Sequence, residues 1–99
     1  MTQPESRLQR RIQDAIREEY LDKVFVFKVW GSEHMMAGLP DLIGCFRGRF
    51  FGLEVKTPES RSKVSKRQEY VHTLIRKAGG LAVVVSSPTE ALSALETLE

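Results

Sequence analysis

One cysteine and two histidines are all that this 99-residue chain offers to disulfides or to nitrogen- and sulfur-ligated metals. A lone Cys45 excludes an internal disulfide and a cysteine zinc cluster, and it fits a reducing compartment. His34 and His72 are too few, and too far apart in the chain, for a histidine metal site. No apolar run approaches the ~18 residues that a membrane span needs. Residues Met1 to Arg7 lack the apolar stretch of a signal peptide, so the expected location is cytoplasmic. Low-complexity tracts and internal repeats are missing too. What remains has an ordinary globular balance, 41% hydrophobic and 28% charged. The expectation is a single domain over residues 1–99 with one modest core.

The formal net charge is only +2, but it is unevenly spread. Residues 47–77 hold nine Lys or Arg against three acids, whereas residues 78–99 hold three acids and no base. The basic segment suits a polyanionic partner, and a solvated basic face is the alternative reading.

Hydrophobic spacing gives the elements. Leu8, Ile12, Ala15, Ile16 and Tyr20 form one apolar stripe on a helix from Pro4 to Tyr20. Thr2 and Glu5 make a capping-box pattern at its start. Val24 to Trp30 is β-branched and aromatic, and apolar on both faces, which predicts a strand inside the sheet or against a partner subunit. A loop from Gly31 to Leu39 leads to strands over Asp41–Phe46 and Phe50–Thr57. A polar, basic connection precedes a helix opened by Ser65, with Gln68 completing a second box. Val71, Leu74, Ile75 and Ala78 should be its buried stripe, and Gly79-Gly80 its stop. Leu81–Ser86 reads as a short buried strand. Ser87-Pro88-Thr89-Glu90 starts a last helix with Leu92, Leu95 and Leu98 inward. The order is α-β-β-β-α-β-α, a small α/β fold around a mixed sheet.

Gly38 to Lys56 is the informative stretch. A two-residue turn at Arg47-Gly48 sets Asp41 opposite Glu54, and one at Gly48-Arg49 sets Asp41 opposite Lys56. Both turns bring the three side chains to one face, because side chains alternate with period two; a three-residue loop separates them. Two adjacent carboxylates repel unless a cation lies between them. Mg²⁺ accepts one or two carboxylates together with water and phosphate oxygens. A neighbouring lysine can orient a water and stabilise charge on phosphate, so the group suits phosphodiester hydrolysis. Either half taken singly is also a common solvated turn or strand pattern.

Gly38-Leu39-Pro40-Asp41 followed by Glu54-Val55-Lys56, on this frame, resembles the PD-(D/E)xK nuclease superfamily. The longer phrases, Ala37 to Gly44 and Gly48 to Pro58 with Ser65 and Gln68, are similar to the VRR-NUC family over nearly the whole chain. The resemblance implies a restriction-endonuclease-like core, with a mixed sheet flanked by helices. It implies Mg²⁺ or Mn²⁺ held by Asp41, Glu54 and the backbone carbonyl of Val55, with Glu5 reaching the metal directly or through water. Lys56 would position the attacking water and Gln68 would complete the pocket; for Glu5 and Gln68, helix capping is the competing explanation. It further implies an endonuclease on branched DNA, a homodimer resembling Holliday-junction-resolving enzymes. The rivals are a flap, nicking or linear-duplex nuclease, an RNA nuclease, and a non-catalytic DNA-binding module.

Arg61, Lys63, Lys66 and Arg67 are the candidate backbone-phosphate contacts. Arg7, Arg10 and Arg11 either extend that track or pair with acids on their own helix. His72, one turn past Gln68, either approaches substrate or is a buried structural residue. Trp30, Met35 and Met36 read as packing or dimer contacts, and Cys45 as a small core residue.

Overall fold

The computed structural model describes residues 4–99. The Thr2–Glu5 cap expected from the sequence lies outside the described residues. Helix α1 (Pro4–Tyr20) leads through a 3₁₀ turn at Leu21–Lys23 into β1 (Val24–Lys28). After a long loop come β2 (Leu42–Phe46) and β3 (Arg49–Val55), then a second 3₁₀ turn at Pro58–Ser60. Helix α2 (Lys66–Lys77), β4 (Leu81–Val85) and α3 (Pro88–Leu95) finish the chain. No helix among the described residues is long and apolar enough to cross a membrane.

The four strands lie in chain order, β1-β2-β3-β4. The first two pairings are antiparallel and the last is parallel, with α2 as the crossover. The sheet is therefore mixed, as the alternation of elements predicts. On one face Leu8, Ile12 and Ile16 of α1 and Ala91 and Leu95 of α3 pack against Val26, Leu42, Phe46, Phe51, Leu53, Val55 and Val85. Helix α2 covers the other face, over β3 and β4 only. Its end is closed by Gly79 (φ 98°), and the Gly79 and Gly80 N–H groups donate to Arg76 and Ile75 carbonyls. That is the left-handed glycine stop expected of the Gly-Gly pair.

Three expectations are corrected here. The first strand is an edge strand rather than an interior one, and Phe25 on it is 64% exposed. Its second apolar face arises because α2 does not extend over β1 and β2. For the same reason the α2 stripe is only partly buried. Val71 and His72 are covered, but Leu74 and Ala78 stay exposed along a groove beside the hairpin tip. Cys45 is likewise exposed on this open face rather than in the core.

Candidate active site

The hairpin turn sets the site. Arg47 and Gly48 both have positive φ, 55° and 75°, and Phe46 pairs with Arg49. This is the two-residue turn whose handedness matches strand twist. Register then runs back from the turn to Leu42 opposite Leu53, so Asp41 and Glu54 are the next facing pair. Pro40 can lie against β3 here because residue 52 is glycine; a Cβ there would come within 2.6 Å of the proline ring. The tight fit places Asp41 directly beyond the end of β2.

The two carboxylates are held differently. Asp41 Oδ2 accepts the Val55 N–H at 2.8 Å. Glu54 is only 2% exposed, and its Oε2 accepts Gln68 Nε2 at 2.8 Å and lies 3.6 Å from Lys56 Nζ. Burial, reinforced by the Asp41 charge, raises the Glu54 carboxyl to about 7; burial also raises Asp41. Lys56 opposes both shifts without cancelling them. The other Glu54 oxygen, Oε1, is buried with no hydrogen-bond partner. An orphan carboxylate oxygen beside a second carboxylate is an arrangement that a cation completes.

No group of three His, Cys, Asp or Glu side chains among the described residues is placed to hold a metal. Two carboxylates suffice for Mg²⁺ or Mn²⁺ if a backbone carbonyl, water and substrate phosphate supply the rest. The Val55 carbonyl suits this role. The Val55 N–H points to Asp41 whereas the Lys56 N–H points away to Val85, and the N–H and C=O of one strand residue share an edge.

Gln68 both caps its helix and contacts a carboxylate of the candidate site. Its Oε1 accepts the Ser65 N–H at 2.9 Å while its Nε2 donates to Glu54, so one amide joins the α2 N-terminus to the carboxylate. Glu5 stands at the rim, close enough for its charge to raise Asp41. Its Oε2 accepts the Ser60 hydroxyl at 2.8 Å, and Ser60 Oγ is in turn 2.9 Å from Thr57 Oγ1. Ser60 escaped sequence reasoning because its partner is on the first helix and its own segment was notable only for charge.

No protein-family model matches the sequence, and no curated protein matches it. Among solved structures, one described as "VRR_NUC domain" superposes on this chain with a TM-score of 0.67 and 26% identity. The match covers 96% of this chain and 97% of that one. The chain shares the fold of that VRR-NUC domain over nearly its whole length.

Around the centre of this VRR-NUC-like fold the basic residues divide into two sets. Arg61 makes a paired contact with both Glu90 oxygens, at 2.8 and 2.6 Å, and also donates to Ser86 Oγ and the Val84 carbonyl. Glu90 in turn accepts the Ser86 N–H instead of closing the box on Ser87, so Arg61 clamps the connection onto α3. Arg67 donates to the Ala37 carbonyl and steadies the loop that precedes Asp41. Lys63 and Lys66 are exposed and have no ion pair among the described residues, and neither do Arg7, Arg10 and Arg11. Arg61→Ala is therefore expected to cost about 1 kcal/mol of stability or less, as a surface ion pair does, in a thermal melt. Lys63→Ala and Lys66→Ala should leave the melt unchanged and each lower the salt dependence of DNA binding by about one charge.

His72 is buried, its pKa lowered by that burial, and its Nε2 has no partner among the described residues. Its burial on the inner face of α2 matches the structural reading of this residue.

Proposed function

We propose that this VRR-NUC-like domain is a Mg²⁺- or Mn²⁺-dependent endonuclease that hydrolyses DNA phosphodiester bonds and selects branched structure, a four-way junction above all. The observation that carries the reading is the orphan Oε1 of Glu54 beside Asp41, a buried carboxylate pair that a divalent cation would complete. Asp41, Glu54 and the Val55 carbonyl hold the cation. When bound, it supplies Lewis-acid stabilisation of the negative charge on the phosphate.

The protein's own groups do the remainder. The Lys56 ammonium, anchored by Glu54, orients the attacking water and offers a positive charge to the phosphoryl oxygens. Water adds to phosphorus and gives up its proton to solvent, the ester bond to the departing strand breaks, and the departing alkoxide takes a proton from solvent. Gln68 fixes the Glu54 rotamer, and Ser60 fixes Glu5. Lys63 and Lys66 take backbone phosphates, and the exposed Arg7, Arg10 and Arg11 of α1 extend the basic track.

The described helices and strands are committed to the sheet and its core, which supports selection of structure over sequence readout in a groove. The exposed Phe25 and Phe27 on the open sheet face support a homodimer, and two centres related by a two-fold axis fit a junction of matching symmetry. The test offers a four-way junction, a flap, a linear duplex, a single strand and the RNA equivalents, with Mg²⁺, Mn²⁺ or chelator. Paired cuts in the junction, abolished by chelator, are expected. No metal-dependent cleavage of any substrate would leave a DNA-binding module on a nuclease fold.

A further inference from the structure

At the outer edge of the sheet, α1 and the end of β1 enclose a groove of about 540 Å³, within the range of small-molecule sites. Gln9, Arg10 and Gln13 line it from the helix, and Phe27, Lys28 and Trp30 from the strand. It opens next to the carboxylates. Lys28 pairs with Leu42, the residue after Asp41, and the Val29 N–H donates to the Asp41 carbonyl at 2.8 Å.

Three features of the groove are unexplained by the fold. Trp30 is 73% exposed, although an indole usually contributes most of its area to a core or an interface. The Lys28 ammonium lies 4.2 Å from the ring centroid on one side and braces the indole without burying it. Gln9 lines the groove and buries its amide oxygen with no hydrogen-bond partner, a cost relieved if its amide turns outward to meet a ligand. Arg10 and Lys28 make the lining basic, and no acid is part of it.

We propose that this groove receives an unpaired nucleobase of the DNA strand flanking the scissile phosphate, stacked on Trp30 and hydrogen-bonded by Gln9; the proposal rests on the nuclease reading above. The chemistry is that of a single-strand platform: an aromatic face any base can stack on, an amide to meet a base edge, and cations for the backbone. A protein strand added to β1 is the poorer occupant, because Arg17 already donates to the edge carbonyl of Val26 at 2.7 Å. Branched DNA supplies unpaired or easily unpaired bases where strands exchange, so the groove gives structure selectivity without sequence readout.

Trp30 is the single tryptophan, so its fluorescence reports the groove alone. The full chain, without added metal so that nothing is cut, is titrated with a single-stranded oligothymidine or oligoadenosine and with an abasic oligomer of equal length. Quenching by the base-bearing strands and not by the abasic one is expected. Trp30→Ala should weaken binding of the base-bearing strands about tenfold, the size of one stacking contact, and leave abasic binding unchanged. Trp30→Phe should retain most of the affinity. Equal quenching by the abasic strand would overturn the proposal, as would quenching that follows protein concentration without DNA, which would mean a second copy covers the groove. The nuclease reading stands or falls separately: base-dependent quenching without cleavage of any substrate leaves the groove in place, and cleavage without such quenching removes it.

Discussion

Lys56→Ala is expected to slow phosphodiester cleavage by about 10²- to 10⁴-fold, the range for losing a positioned proton-handling or charge-stabilising group. DNA affinity should change only a few-fold, because the side chain is 14% exposed and points to Glu54 rather than to the outer basic residues. The measurement is a pair of numbers on one junction substrate: single-turnover rate with Mg²⁺ and dissociation constant with Ca²⁺. A large fall in rate with affinity kept is the signature of a group that acts in the transition state rather than in binding. Unchanged metal-dependent cleavage would remove Lys56 from the mechanism. Lost binding together with lost cleavage would instead assign it to phosphate capture.

Glu54→Gln is expected to be inactive and, without metal, more stable than the parent protein. The Glu54 carboxyl is raised from 4.5 to about 7 in the folded state. Below pH 4.5 both folded and unfolded chains hold the proton, and burial carries no ionisation penalty. Between pH 4.5 and 7 the unfolded chain releases the proton while the folded chain keeps it, so stability falls as pH rises. Above pH 7 the folded group ionises as well, and the deficit levels off at about 3 kcal/mol or less. Glutamine keeps the shape and can still accept from Gln68, but it never ionises. Melts in chelator should therefore show the variant higher by roughly 10 °C at pH 8 and level with the parent near pH 4.5. Adding Mg²⁺ should raise the parent more than the variant, since the cation favours the ionised carboxylates. A variant less stable than the parent at pH 8 in chelator would mean that the Glu54 charge is satisfied within the protein. The comparison is one instance of a binding site built against the stability of its empty state.

The centre of the site was legible in the sequence because the physics there is local. Alternation along a strand and the length of a tight turn decide which side chains share a face, and Arg47-Gly48 admitted only a few registers. The resemblance carried by Gly38 to Lys56 added the roles. What stayed hidden depends on contacts between distant segments. That α2 stops short of β1 and β2 cannot be read from either segment, so the apolar faces of Phe25, Leu74 and Ala78 looked like core. Arg61 sits among lysines and reads as one more cation, yet Glu90 on the last helix captures it. Gln68 and Glu5 each offered two explanations that appeared to compete. For Gln68 they do not compete, because a carboxamide has two ends and the fold uses both.

The double use of Gln68 has a dynamic consequence. The first turn of a helix is where fraying starts, and fraying here withdraws the amide from Glu54 in the same movement that releases Ser65. The carboxylate is then free to leave its rotamer, so the candidate centre inherits the opening and closing of a helix end. Hydrogen exchange at the Gln68 N–H would report both at once. DNA phosphates bound at Lys63, just ahead of that turn, and at Lys66, its first residue, would hold it closed, so that substrate itself completes the ordering of the site it enters.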